Sequence, residues 1–219
     1  MGTSHAVVVG LLLGILGQTG FAAAQGNRET LQLPRGDVSL QVGITGTDEP
    51  LVDPDDNWYG TWNGAVSVGY YWTEHLKTEL DAGLTSEGQL WGGRAVAGDT
   101  YSYSTHSFST RSVTLSQQYQ FGHNARFHPF VGAGIALEWI RHTEERQPVY
   151  QILRVPPYSV LVQPARTIGP TTDVQVVPFV SSGFKGYFNE RGFFRSDFQI
   201  GFRGGVRHLT VRSGFGFDF

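Results

Sequence analysis

From residue 38 onward, apolar residues recur at every second position, and a strand sends alternate side chains to opposite faces. DVSLQVGITG sets Val38, Leu40, Val42 and Ile44 against Ser39, Gln41, Gly43 and Thr45. TWNGAVSVGYYW sets Trp62, Val66, Val68, Tyr70 and Trp72 against Asn63, Ala65, Ser67 and Gly69. LKTELDAGLT, SVTLSQQYQF and FHPFVGAGIALEWI repeat the pattern, the last with Val131, Ala133, Ile135, Leu137 and Trp139 on one side. VQVVPFVSSGFKGYF (174–188) is the least regular segment, apolar on both parities and interrupted by Pro178. FFRSDFQIGFR and VRHLTVRSGFGFDF restore the alternation. Eight such segments with no helical period between them predict an all-β fold, an eight-stranded antiparallel up-and-down barrel.

The connections give the barrel a direction. TEH, GHNAR and NERG are short, whereas 47–60, 86–107 and 142–173 are long, and Gly204-Gly205 makes a tight hairpin. Short turns at one end and long loops at the other are the pattern of transmembrane barrels, whose turns face the periplasm. An even strand count also puts both termini at the short-turn end.

Alternation alone does not separate a membrane barrel from a soluble one. Three features do. Glycines crowd the polar parity (Gly69, Gly83, Gly132, Gly134, Gly183, Gly201, Gly214, Gly216), where small residues leave room in a narrow lumen for a few long ones. Aromatics bracket the apolar parity, with Trp62 and Trp72 on one segment and Phe127 and Trp139 on another. Ten residues at ~3.3 Å each, tilted ~40°, rise roughly 25 Å, the height of an outer-membrane apolar band between aromatic girdles. Finally, the polar parity carries charges of both signs: Lys77, Glu79, Asp81, Glu138, Lys185, Arg195, Asp197, Arg203 and Arg212. These are candidates for ion pairs across a lumen, because unpaired buried charge is costly. The predicted fold is therefore a transmembrane β-barrel.

Composition agrees. Charged residues are 16% of the chain, against about 25% in ordinary soluble domains. The net charge of -3 argues against nucleic acid as a partner. With no cysteine, neither a disulfide framework nor a thiolate metal site is available. At the front, AVVVGLLLGILG followed by small residues at Ala22 and Ala24 reads as a secretory signal over 1–24, although its n-region MGTSH lacks Lys and Arg. A short polar periplasmic leader, 25–36, precedes the barrel at 37–219.

With those residues in view, the chain resembles the small outer-membrane β-barrel families of Gram-negative bacteria: the OmpA-type transmembrane domain and its opacity-protein relatives. The resemblance is carried by HPFVGAGIALEW (128–139), GYFNERGFFRSDFQIGFRGG (186–205) and the terminal alternating aromatics. It implies that Phe215, Phe217 and Phe219 form a C-terminal signal for the outer-membrane assembly machinery. It also implies an outer-membrane location, with the peptidoglycan-binding domain of larger relatives absent.

Other residues suggest chemistry less strongly. DPDDN (53–57) opens like a calcium loop, but Trp58 stands at the glycine position and Gly64 at that of the bidentate Glu. It reads as a solvated loop tip. His208, Thr210 and Ser213 invite comparison with barrel-type lipid A-modifying hydrolases, but there is no nucleophile elbow or evident orienting acid, and His208 shares the lumen parity of Arg212. His123, His128 and His142 fall at opposite ends of one strand and its turns, too far apart to share an ion, and His106 sits among Tyr and Ser.

The expected protein is a monomeric, non-enzymatic outer-membrane barrel without cofactor or metal, its lumen largely plugged by ion pairs. Its role is structural or surface-interacting, in contact with outer-membrane lipids. In 142–173 two short alternating runs around Pro156-Pro157 extend the strands above the membrane as a hairpin, and this segment and 86–107, with Trp91, Tyr101, Tyr103, Tyr150 and Tyr158, would meet an extracellular partner. The alternative is a small passive pore, or an OmpW-like conduit leaving near Pro178.

Overall fold

The computed structural model describes residues 36–49, 58–97, 100–122, 126–152 and 159–219. The signal segment, the leader, DPDDN, His123 and Tyr158 lie outside the described residues, as does the side chain of Tyr101.

Eleven strands are present: β1 (Gly36–Asp48), β2 (Trp58–Tyr71), β3 (Leu76–Thr85), β4 (Gly88–Ala97), β5 (Thr100–Gln120), β6 (Phe127–Arg146), β7 (Val149–Ile152), β8 (Ser159–Gln163), β9 (Arg166–Tyr187), β10 (Gly192–Phe202) and β11 (Val206–Asp218). Eight of them close an antiparallel ring in the order β1-β2-β3-β5-β6-β9-β10-β11. The closing ladder runs from Asp37↔Asp218 to Thr47↔His208, and the Gly36 and Phe219 amides exchange bonds of 3.0 and 2.8 Å beyond it. Closure matters because it leaves no open sheet edge within a bilayer.

The turns at the terminal end are made by their own side chains. Thr73 Oγ1 accepts from the His75 and Leu76 amides at 3.2 and 3.0 Å. Asn189 Oδ1 accepts from Arg191 and Gly192 at 2.9 and 2.5 Å, the local bonding that suits Asn to turns. At the opposite end the β10–β11 hairpin turns on Gly204, whose φ of 74° lies in the left-handed region.

Segment 86–107, expected as a loop, is mostly strand, and 142–173 carries the hairpin expected of it, β7 paired with β8. β4 continues the line of β3 after a break at Ser86-Glu87, and β5 pairs with β3 through its lower half and with β4 through its upper half. β6 and β9 likewise stay paired up to Arg146↔Arg166. The result is a four-stranded sheet, β4-β5-β6-β9, standing above the ring, with β7 and β8 as a separate hairpin. Its Tyr, Ser and Thr content, read as loop, instead belongs to strand, where Tyr and Thr are favoured.

The apolar parity faces outward, from Val38 and Leu40 on β1 to Phe215 and Phe217 on β11, and Trp62 is 71% exposed. The irregular segment 174–188 has a simple explanation. Val174, Val176 and Val180 face out, while Val177 and Phe179 turn into the lumen against Ala136. Phe130 and Phe193 also point inward. Each of these rings lies over a glycine paired to it: Phe179 over Gly134, Phe130 over Gly183 and Phe193 over Gly216. A Cβ on those glycines would come within 2.8, 2.8 and 2.2 Å of the ring. The lumen glycines are thus the floor on which large side chains rest.

Candidate functional site: the filled lumen and the sheet above it

Lumen-facing residues of all eight ring strands converge at three levels. The lowest is a network of charges. Lys77 Nζ lies 2.9 Å from Asp37 and 2.5 Å from Glu79. Arg195 grips Glu79 with both guanidinium nitrogens, at 2.5 and 2.9 Å, and reaches Asp197 at 3.0 Å. Arg212 joins Asp197 at 3.2 Å to Asp81 at 3.1 Å. Lys185 pairs with Asp37 and stands 3.6 Å from Asp218. Amides and hydroxyls fill in: Gln118 donates to Glu79 (2.8 Å), Gln41 to Asp197 (3.0 Å), Ser67 to Asp81 (2.9 Å) and Tyr187 to Asp218 (2.5 Å). Four cations therefore face five carboxylates with almost no exposure to solvent. Bidentate, charge-assisted contacts of this kind fix geometry as well as energy.

Asp37 and Asp218, which hold the two lysines, were missed from the sequence. They sit at the first and last strand ends, where a charge reads as belonging to a terminus. Their parity with Ser39 and Gly216 is the signal that could have found them. Arg203 differs in the other direction: it is exposed near the β10–β11 hairpin and reaches inward only to Gln175. Glu138 stands apart too. It accepts from Gln175 at 2.9 Å, and His208 Nδ1 lies 3.5 Å from it.

The middle level is a cavity of about 70 Å³ lined by Thr45, Asn63, Asp81, Thr114, Glu138 and His208 among others, room for several waters. The uppermost level is apolar. Tyr59, Leu90, Phe108 and Ile140 form a buried cluster, with Tyr59 and Phe108 stacked at 5.2 Å and 17°. Ile140 also lines the cavity, and register sets Tyr59 beside Thr47 of its wall, so the cluster stands above it as a roof. Beside it, Arg207 binds Glu49 at 2.6 Å and also the Asp48 carbonyl.

On top of the roof, His142 stacks on Phe108 at 4.6 Å, and its Nε2 lies 3.0 Å from His106 Nδ1. Ser104 Oγ is 2.9 Å from the other nitrogen of His106. A nitrogen-to-nitrogen bond needs one donor and one acceptor, so the pair is intact only while at least one ring is neutral. Burial pushes the His106 pKa below its ordinary value, with Glu144 opposing and His142 and Arg146 reinforcing. Glu144 is itself held below the carboxylate range by its bonds with Arg146, at 2.6 and 3.2 Å.

A His with a depressed folded pKa adds stability above its ordinary value, and that stability is lost as pH falls through the folded value. Acidification below about pH 6.5 should accordingly loosen this layer. Lower amide protection at 104–108 and 142–146, taken relative to the intrinsic exchange rate at each pH, with unchanged protection at 112–119, is the expected result. A profile flat between pH 8 and pH 5 would refute it.

The remaining sequence candidates are dispersed. His128 packs edge-on to Tyr187 at the terminal end of β6, far from His142. No group of three or more potential metal ligands occurs among the described residues. His208 does have an acid beside it, Glu138, which the sequence did not suggest, because β6 meets it only across the lumen. Its Nε2 faces Gln199 at 3.4 Å, Thr210 bonds Thr45 at 3.0 Å, and Ser213 bonds Ser196 at 3.0 Å. None of these hydroxyl contacts is to His208.

The outer surface completes the picture. At the terminal end, Trp72 packs on Tyr70 (5.0 Å) and Phe121 on Tyr119 (5.1 Å). Phe127 continues through Phe184 (5.0 Å), Phe194 (6.1 Å) and Phe215 (5.6 Å). Phe215 of the terminal ladder therefore joins a row of aromatic rings, while the exposed Phe219 lies beside Gly36. At the other end stand Trp62 and the half-buried Trp139. An exposed apolar wall framed in this way suits hydrocarbon, not water.

No protein-family model matches the sequence, and no curated protein sequence matches it. Solved structures do. Neisserial surface protein A matches with TM-score 0.53 and 15% identity, covering 84% of this chain and 97% of that one. The chain folds as a small outer-membrane β-barrel. The N-terminal barrel domain of Pseudomonas aeruginosa OprF (TM-score 0.45, 16% identity, 83% and 97% covered) and the attachment invasion protein Ail of Yersinia pestis (0.46, 11%, 84% and 99%) are also similar. At these identities the likeness is one of fold. This barrel's wall, belts and short terminal turns are those of an outer-membrane protein.

Proposed function

We propose that this outer-membrane barrel is a plugged scaffold that carries a contact surface above the membrane. The observation that supports this most is the set of buried ion pairs across the lumen, with the Tyr59–Phe108 cluster above them. An eight-stranded ring is just wide enough to be filled by its own side chains. Binding residues tend to sit on exposed segments held by a rigid scaffold. Here the tall sheet presents Trp91 and Tyr103, and the β7–β8 hairpin presents Tyr150, Val160, Leu161 and Val162. An extracellular partner would meet these residues.

Single-channel recording tests the reading. The refolded chain, inserted in a planar bilayer, is expected to be silent. Ohmic steps that shift in Glu79→Ala or Arg195→Ala would establish a lumen pore instead.

The second reading, a conduit, rests on the wall itself. Above Phe179↔Gly201, β9 pairs with no strand on its β10 side among the described residues, and Arg203 reaches across from the hairpin to Gln175. Uptake of a small apolar dye into vesicles, raised by Arg203→Ala, would favour that reading over the plugged scaffold.

A further inference from the structure

We propose that two copies of this barrel pair side by side in the membrane through the wall of β3, β5 and β6, joined by reciprocal hydrogen bonds between their Gln117 side chains. The sequence leads to the expectation of a monomer, and one lipid-facing residue argues against it. Between the aromatic residues at its two ends the outer wall is mostly aliphatic, as at Val68 on β2, Leu80 on β3, Leu115 on β5 and Ile135 on β6. Thr78, Ser182, Ser196 and Ser213 add hydroxyls on that face. Gln117, exposed on β5 between Leu115 and Tyr119, is its one carboxamide among the described residues.

Hydroxyls sit easily on such a wall because they can bond their own sheet. Ser213 donates to Ser196 at 3.0 Å, and Ser196 to the Arg212 carbonyl at 3.2 Å. Gln117 is answered only in part. Trp72 Nε1 donates to Thr78 Oγ1 at 2.7 Å, and Thr78 donates its own proton to Gln117 Oε1, also at 2.7 Å. That chain occupies one lone pair of the carboxamide oxygen. The second lone pair and both N–H bonds of Nε2 have no partner among the described residues, and hydrocarbon offers none. Leaving them unmet costs free energy that a partner would return. A carboxamide is its own complement. Across a two-fold axis, Nε2 of each copy donates to the free lone pair of the other copy's Oε1, which makes a closed, isologous contact. Lipid cannot reciprocate in this way, since an acyl chain has neither donor nor acceptor and an ester carbonyl only accepts.

The wall around the amide allows close approach. Gln117 is paired with Thr78 on one side and Ala133 on the other. Ala133 is exposed between Val131 and Ile135, so the row dips directly beside the carboxamide. Ala82, paired with Val113, makes a second dip on β3. Small residues are what let neighbouring membrane segments come near enough for polar side chains to meet. The Thr78 bond also holds the carboxamide in place before pairing, so little side-chain freedom remains to be lost.

The full chain, refolded into phosphatidylcholine vesicles over a range of protein-to-lipid ratios, tests the proposal. Because the chain contains no cysteine, a single introduced thiol reports the contact without background. Ala133→Cys should cross-link to itself on oxidation, whereas Val42→Cys, exposed on β1 across the ring from β6, should not. Energy transfer between labelled copies should show a dimer whose dissociation constant rises about tenfold in Gln117→Leu, the loss of two hydrogen bonds of the strength found in membranes. Ala133→Leu, which fills the dip and keeps the amide, should weaken the dimer at least as much. Gln117→Asn, a carboxamide one methylene shorter, should fall between. The heat-dependent gel shift of a folded barrel checks that each variant assembles. Equal cross-linking at Ala133 and Val42 would reduce the contact to crowding, and a dimer indifferent to Gln117→Leu would lie on another face. Monomers at every ratio would mean that lipid ester carbonyls satisfy the amide. Each of these three results would overturn the proposal.

Discussion

Replacing Arg195 with Ala is expected to cost the barrel about 3–5 kcal/mol of stability, the usual loss when one member of a buried ion pair is removed. The guanidinium is 2% exposed, holds both oxygens of Glu79, touches Asp197 and lies 4.9 Å from the centre of the Phe130 ring. Without it, Glu79 keeps only Lys77 and Gln118, and Asp197 keeps Arg212 and Gln41. The loss therefore comes from stranded carboxylates more than from the missing attraction. Glu79→Gln made together with Arg195→Gln should cost less than the two single changes added, by about 0.5–3 kcal/mol of coupling. Urea unfolding from lipid vesicles would supply both numbers. A loss of under about 1 kcal/mol for Arg195→Ala would place the pair among solvent-screened ones, meaning that water fills the lower lumen. That outcome would also turn the bilayer recording towards a pore.

The same network shows how far a sequence can be read. Alternation assigned each segment a wet and a dry face, because period two is a property of one strand and needs no partner. It therefore put Lys77, Glu79, Arg195 and Asp197 on a common parity. Which cation meets which carboxylate depends on register and on the stagger around the ring, and neither is written in any one segment. Glu79 and Arg195 are 116 positions apart. His106 and His142 were read separately for the same reason, as a loop residue and as one end of a scattered trio.

Segment 174–188 shows the opposite limit. Its mixed polarity looked like a weak strand, but Val177 and Phe179 are apolar on the lumen side because Ala136 and Gly134 leave them space. Pattern rules assume a polar lumen. They break where a narrow barrel replaces water with rings laid over glycine. Segment 86–107 escaped for a related reason: above the bilayer both faces of a strand can be polar, so the Tyr, Ser and Thr of upper β5 carry no alternation to detect.

Phe108→Ala is expected to cost a similar amount, about 3–5 kcal/mol, through the cavity it leaves. Phe108 is 2% exposed, lies between Tyr59 and His142, and packs with Leu90 and Ile140. It joins the tall sheet to β2, which meets β4 through no ladder of its own. The loss should therefore be local. Amide exchange should accelerate in β4 and in residues 100–108, while 112–119, held in the ring between β3 and β6, should keep its protection. Acceleration that spread evenly through β5 would show that roof and ring unfold as one unit. In the proposed plugged scaffold the roof and the charge network block the lumen in series, so Phe108→Ala alone should leave the bilayer silent, and so should any variant that spares the ion pairs. Conductance that arises only when Phe108→Ala is combined with Arg195→Ala would locate the plug at both levels.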